Sequence, residues 1–170
     1  MGNMEQLFAP WRMDFILSDR KGRHCIFCPV KKQSDEQRLI IHRTQHSLVM
    51  LNRYPYSYGH LIIAPIRHVK SISKLKPEEM QDILHHLGQS IDILKEAFCP
   101  NGFNVGMNLG QIAGAGILYH LHLHIIPRWK GDMNFMPVIA EVRVIPEHLR
   151  RTYQRLLPHF KKLGNHMRWV

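Results

Sequence analysis

His120-Leu121-His122-Leu123-His124-Ile125-Ile126 alternates imidazole with aliphatic side chains before closing on two apolar residues and Pro127. A strand sends residues i, i+2 and i+4 to one face. The stretch therefore predicts a strand over 120–126, ended by Pro127, that presents His120, His122 and His124 in a row. Leu121, Leu123 and Ile125 would anchor its other face in a core. Neutral imidazole can act as base, nucleophile or metal ligand near pH 7. A merely solvated strand face is the plain alternative, and three histidines in strict alternation weigh against it.

Just upstream, Phe103, Val105, Met107 and Leu109 alternate with Asn104, Gly106 and Asn108, which predicts a half-buried strand with both asparagines turned from the core. The glycine-rich bend 110–116 joins this strand to the histidine stretch, so the two are expected to pair antiparallel. Farther back, Met80, Ile83, Leu84, Leu87, Ile91, Leu94 and Phe98 recur at steps of three and four, the stripe of a long helix. Pro77, Glu78 and Glu79 suit its first turn. Gly88 weakens it without ending it, and Pro100, Asn101 and Gly102 stop it.

Short β-type runs precede the helix at Leu39–His42, Ser47–Leu51 and Leu61–Ala64, with turn residues Asn52, Tyr54-Pro55 and 57–59 before the third. Residues 31–37 read as a polar loop. A run at Val138–Val144 and a helix near Glu147–Leu163, kinked or divided at Pro158, complete the chain. The expectation is one α+β domain over 1–170: an antiparallel sheet of about five strands, one long helix and a C-terminal helix. Its core is expected over about 7–146 and its basic C-terminal helix over about 147–170.

At 170 residues, 45% hydrophobic and 21% charged, the composition suits a single globular domain. No apolar run approaches the roughly 18–20 residues that span a bilayer, and no secretory leader is apparent, so a cytoplasmic protein is expected. Three cysteines are too few for a disulfide framework, and Cys25-Ile26-Phe27-Cys28 instead suggests metal or redox chemistry. The net charge of +10 favours anionic partners. Arg150, Arg151, Arg155, Lys161, Lys162 and Arg168 gather at the C-terminus, most simply as a solvated face.

The histidine row admits two chemistries. Its members could share a catalytic metal. Alternatively, one attacks phosphorus, forming a covalent intermediate, while its neighbours hold phosphate. Gly110, Gly114 and Gly116 favour the second, since backbone N–H groups there can approach an anion without Cβ obstruction.

The row resembles the motif of the histidine triad (HIT) superfamily of nucleotidyl hydrolases and transferases. Tyr58-Gly59-His60-Leu61-Ile62-Ile63-Ala64-Pro65 is similar to that family's upstream Gly-His strand. The stretches 7–13, 52–55, 106–110 and 127–135 resemble its branch of bacterial diadenosine-polyphosphate phosphorylases. The resemblance implies that His122 attacks the α-phosphate of a nucleoside polyphosphate, with His124 and His60 lining the phosphate pocket. It implies a ribose contact for Asn52, for which turn chemistry is an equal reading, and a phosphate-side contact for Asn108.

Gly116 stands where many family hydrolases carry Gln or Ser. The resemblance therefore leaves backbone amides at Gly114 and Gly116, another residue or a second substrate's own groups to make the nucleotide contact, which favours a phosphorylase or transferase. Arg128 suits a phosphate clamp. Trp129 can stack or close the core, and Cys99 reads as core. Some family members bind a structural zinc; the matching positions are Cys25, Cys28, His68 and His120, with His24 competing with His68.

The function implied is phosphorolysis of diadenosine tetraphosphate to ATP and ADP by a homodimer, with inorganic phosphate as acceptor. Hydrolysis of the same or related nucleotides is the near alternative. Nucleic acid is a remoter partner, since no helix-turn-helix, finger spacing or aromatic-basic alternation supports it.

Overall fold

A computed structural model describes residues 25–30, 33–132 and 147–164. The stretch 7–13, His24, Asn134, Phe135, the run 138–144 and Arg168 lie outside them. Five strands, β1 (Ile40–Arg43), β2 (Ser47–Leu51), β3 (Leu61–Pro65), β4 (Gly102–Gly106) and β5 (Leu123–Arg128), form one antiparallel sheet in the order β1-β2-β3-β5-β4. A four-residue helix α1 (Asp35–Arg38), the long α2 (Pro77–Phe98) and α3 (Leu149–Lys161) accompany it. This is an α+β fold.

Alternation assigns the two faces of the sheet. Val49, Leu51, Leu61, Ile63, Leu123 and Ile125 face a large core completed by Ile83, Leu94 and Phe98 of α2 and Tyr153, Leu156 and Phe160 of α3. Leu48, Met50, Ile62 and Ala64 face the other way, in a smaller cluster with Phe27 and Ile40. His124 pairs with Ile62, so the histidines belong to this second face while Leu123 and Ile125 hold the first. Burying each such aliphatic chain contributes about 1.5–3 kcal/mol, which fixes the register that aims the histidines.

The strand expected over 120–126 begins only at Leu123. His120 and His122 lie in extended chain before it, where Leu121 N–H donates to Val69 O at 2.7 Å rather than joining the ladder. Nor does Pro127 end β5. It pairs with Phe103, beyond the point where β3 stops opposing β5, so a missing donor is tolerated there. β4 is shorter than expected and lies at the sheet edge, so Val105 is 43% exposed and Asn108 falls past its end.

α2 spans the expected residues, but its buried face is rotated from the expected stripe. Glu79, Ile83, Ser90, Ile93, Leu94, Ala97 and Phe98 face inward, while Met80 and Leu84 are exposed. The signal was hidden because Glu79 is a buried acid. Its carboxylate accepts from Lys76 N–H at 2.8 Å and from Nε and one terminal nitrogen of Arg67 at 2.7 Å, which offsets the penalty for burying it. Cys99, expected in the core, is exposed at the helix C-cap.

α3 runs unbroken through Pro158. Pro158 and Gln154 lie on the exposed side, where water can satisfy the carbonyl that loses its helical donor. The opposite side of α3 is core, and Tyr153 Oη donates to Ile40 O at 3.0 Å.

Candidate active site

The histidine row is held at both ends by groups that contribute only one kind of hydrogen-bonding atom, and this determines where its protons sit. His122 Nδ1 lies 2.9 Å from His120 O. A carbonyl can only accept, so Nδ1 carries the proton and Nε2 keeps its lone pair. His120 Nε2 lies 2.8 Å from Pro65 O, so here Nε2 is protonated and Nδ1 holds the lone pair. Adjacent members of one row thus present opposite nitrogens.

At the far end the donor is backbone. Tyr56 N–H donates to His60 Nδ1 at 3.0 Å, and Asn52 Nδ2 approaches the same atom at 3.3 Å. Neutral His60 is therefore protonated at Nε2, which donates to His124 Nδ1 at 2.9 Å. Neutral His124 then carries its proton on Nε2. The His122 and His124 rings stand edge to face, 5.0 Å between centroids.

His60, His120, His122 and His124 are all buried. Burial pushes the His122 imidazole below its ordinary 6.5, opposed by its bond to His120 O, so the neutral nucleophilic form prevails at neutral pH. Burial likewise takes His120 down to about 4. A Nε2 lone pair on a buried neutral ring, set beside the His124 imidazole, is an arrangement suited to attack on phosphorus.

The lone pair of His120 faces sulfur. Its Nδ1 lies 3.2 Å from Cys25 Sγ and 3.7 Å from Cys28 Sγ, and His68 Nδ1 lies 3.2 Å from Cys28 Sγ. The ligand atoms of all four residues fall within 4.8 Å of one another. Donors around a tetrahedral zinc are separated by roughly 3.3–3.8 Å, so this Cys2His2 set fits that ion with small adjustment. Burial and the neighbouring Cys25 push the Cys28 thiol up to about 11, so a bound metal would displace its proton. Among the described residues no metal-type grouping joins His120, His122 and His124. That removes the geometric basis for a three-histidine catalytic metal.

The remaining expected residues divide. Asn52 reaches His60, and its Oδ1 also accepts Tyr54 N–H at 3.0 Å, an ordinary Asx turn. Asn108 Nδ2 approaches Gly114 O at 3.4 Å, joining two expected nucleotide contacts. Gly114 N–H is taken by Gln111 O, so that amide does not face the triad, while no described bond ties Gly116 to the row. Arg128 is committed elsewhere: its guanidinium bonds both carboxylate oxygens of Asp132 and the Asn104 side chain. Trp129 closes the core, with Nε1 donating to Phe98 O at 3.3 Å.

Two residues escaped the sequence reading. Phe27, within the Cys-x-x-Cys turn, packs against both His120 and His122 at ring distances of 5.1 and 5.2 Å. Arg38 is buried and donates to Ile26 O and Cys28 O at 2.7 and 2.8 Å, pinning the turn that carries the thiols. An apolar residue between two cysteines was a faint signal for the first. Nothing in the pattern marked the second.

A family model described as HIT domain matches residues 33–131. A Mycobacterium tuberculosis protein named AP-4-A phosphorylase is 36% identical over 162 residues, covering 91% of this chain and 83% of its own. A Schizosaccharomyces pombe protein named bis(5'-nucleosyl)-tetraphosphatase [asymmetrical] is 30% identical over 95 residues, 56% of this chain and 52% of its own. The crystal structure of a Zn-bound histidine triad family protein from Mycobacterium smegmatis superposes with TM-score 0.59 at 22% identity. The match covers 74% of this chain and 85% of that one, and shows a shared fold.

Proposed function

This chain belongs to the HIT domain family, in the branch similar to AP-4-A phosphorylase, and from that premise we propose that it transfers a nucleotidyl group from a dinucleoside polyphosphate to phosphate. The observation that carries the reading is the His122 Nδ1–H bond to His120 O, which leaves Nε2 as a nucleophile. With diadenosine tetraphosphate, Nε2 attacks one α-phosphorus. The bond from that phosphorus to its bridging oxygen breaks, its electron pair goes to the departing ATP, and adenylyl-His122 remains. An oxygen of inorganic phosphate then attacks the same phosphorus, the P–N bond breaks back to Nε2, and ADP leaves as phosphate gives up its proton to solvent.

In this scheme His124 donates from Nε2 to the phosphoryl oxygens, and His60 holds its tautomer. Asn52 supports His60 and contacts ribose, while Asn108 and the Gly116 backbone flank the phosphates, the Gly114 amide being taken by Gln111 O. Arg128 is given no step, since three of its five N–H donors are engaged by Asp132 and Asn104.

Cys25, Cys28, His68 and His120 would hold a structural zinc, whose chemistry is to cross-link the 25–28 turn to the segment that carries His122. The reading assumes a cytoplasmic, thiol-preserving setting and one domain over 1–170. Among the described residues no helix is long and apolar enough to cross a membrane. A homodimer is included because the exposed Met80 and Leu84 of α2 and Val105 of the edge strand are apolar. Sedimentation of the full chain tests it: a monomer at micromolar concentration overturns that part.

Mass spectrometry of the protein mixed with diadenosine tetraphosphate, with and without phosphate, tests the chemistry. Adenylyl-His122 and phosphate-dependent ADP are expected. AMP formed regardless of phosphate would assign hydrolysis instead, the activity named for the fission-yeast relative.

A further inference from the structure

A cavity of about 590 Å³ lies beside the metal cluster, and none of the steps proposed at His122 assigns it a role. Arg67, His68, Val69, Lys70, Lys74 and Tyr119 line it. Three links fix it relative to the histidine row. Val69 O accepts Leu121 N–H at 2.7 Å, the His68 ring stands edge-on to His120 at 4.8 Å, and Tyr119 directly precedes His120. Three residues of fully extended chain span at most about 11 Å, so Tyr119 Cα lies within that distance of His122 Cα.

The walls are chemically unequal. Arg67 is neutralised by Glu79 and also donates to Lys74 O, so it frames the cavity rather than attracting an anion. Lys70 and Lys74 are exposed, and among the described residues neither has a carboxylate within ion-pair distance. Tyr119 is 66% exposed, so its ring face is open to a stacking partner. Two uncompensated ammonium groups beside an open ring match a nucleotide, whose phosphates take the cations and whose base stacks on the ring.

We propose that this groove binds the second nucleotide of a dinucleoside polyphosphate, with Lys70 and Lys74 on the distal phosphates and Tyr119 stacked on the distal base. The inference rests on the reading of His122 as the group that attacks the first nucleotide. In-line attack drives the leaving group away from His122. A polyphosphate chain is flexible enough to bend from there over His120 into the groove. The departing nucleoside triphosphate is thus held by the protein, which distinguishes a dinucleotide from a mononucleotide by a whole second set of contacts.

The test is calorimetric titration of the full-length, metal-loaded protein carrying His122→Asn, which prevents turnover, with diadenosine tetraphosphate and separately with AMP. Lys70→Ala/Lys74→Ala should weaken the dinucleotide at least about tenfold, and Tyr119→Ala about fivefold or more, with AMP changed less than about twofold. Tyr119→Phe should bind like the parent. Equal weakening of AMP, or an unchanged dinucleotide affinity in variants with parental melting curves, overturns the groove. Failure of the nucleophile reading is read separately, as absence of adenylyl adduct in protein with native His122. The ratio of the two affinities does not depend on that adduct.

Discussion

The two ends of the histidine row are chemically opposite although the sequence makes them look alike. At His120 the proton sits on Nε2, against Pro65 O, and the lone pair faces two thiols. At His124 the Nδ1 lone pair accepts a hydrogen bond from His60 Nε2–H, and the proton sits on Nε2. Between them His122 is protonated on Nδ1 by its bond to His120 O. One strand-like alternation thus yields three different proton placements, which the proposed mechanism reads as a metal ligand, a nucleophile and a donor. The difference comes from backbone atoms of neighbouring segments, because a carbonyl or an amide imposes a tautomer that the side chain itself does not choose.

The largest effect should come from the middle of the row. His122→Ala is expected to lower turnover of diadenosine tetraphosphate at least about a thousandfold and abolish the phosphoramidate seen by mass spectrometry. The melting temperature should fall modestly, since the packing on Phe27 and the bond to His120 O are lost together. Residual turnover with a trapped adduct on another histidine would break the assignment of roles along the row.

Next in size is the donor end. His60→Gln should reduce the rate about tenfold to a hundredfold, because it disturbs the relay that orients His124 but leaves the nucleophile intact. The adduct should still form, more slowly, in rapid-quench measurements. Loss of the adduct altogether would place His60 closer to the reacting phosphorus than this geometry does.

The metal end should affect stability more than chemistry. Chelator treatment, or Cys28→Ser, is expected to remove one equivalent of zinc by elemental analysis. It should lower stability by roughly 2–4 kcal/mol, the linkage expected for an ion present at a hundred to a thousand times its dissociation constant. The rate should fall only a few-fold, since the histidine ligated at this end is not the one that attacks. Zinc-dependent recovery of a rate lost a thousandfold would instead make the metal catalytic.

The same contrast explains what the chain made legible. Alternation over 120–126 correctly separated the histidine face from the Leu123–Ile125 face, because side-chain direction in an extended segment is a local property. It misplaced the start of β5, because ladder pairing depends on a partner: Ile63 opposes Leu123, but the chain beyond Pro65 turns away and Val69 takes Leu121. Pro77 and Pro100 bounded α2 well, being covalent limits on backbone geometry. The helix's inner face did not follow its apolar residues, since Glu79 and Ser90 are buried there for their hydrogen bonds or size. Cys25, Cys28, His68 and His120 could be matched as a set only through family resemblance. No local pattern foretold that Arg38 would hold the turn carrying the first two.

The smallest predicted effect isolates a charge that belongs to neither end of the row. Arg67 holds the Glu79 carboxyl down at about 2, well below its ordinary 4.5, aided by the Lys76 backbone and opposed by burial. A depressed carboxyl stabilises the fold above its unfolded pKa, and that stability is lost as pH falls through 4.5 toward 2. Because Arg67 is 44% exposed and screened by water, the contribution is expected to be about 1 kcal/mol. Glu79→Gln should therefore lower the denaturation midpoint at pH 7 slightly and flatten the acid limb of the stability curve between pH 4.5 and 2. The partition between phosphate and water as acceptor at His122 should not move. A changed partition would mean that the Arg67–Glu79 pair reaches the reacting centre through the segment 67–70, and the row's chemistry would then not be set by its immediate backbone partners alone.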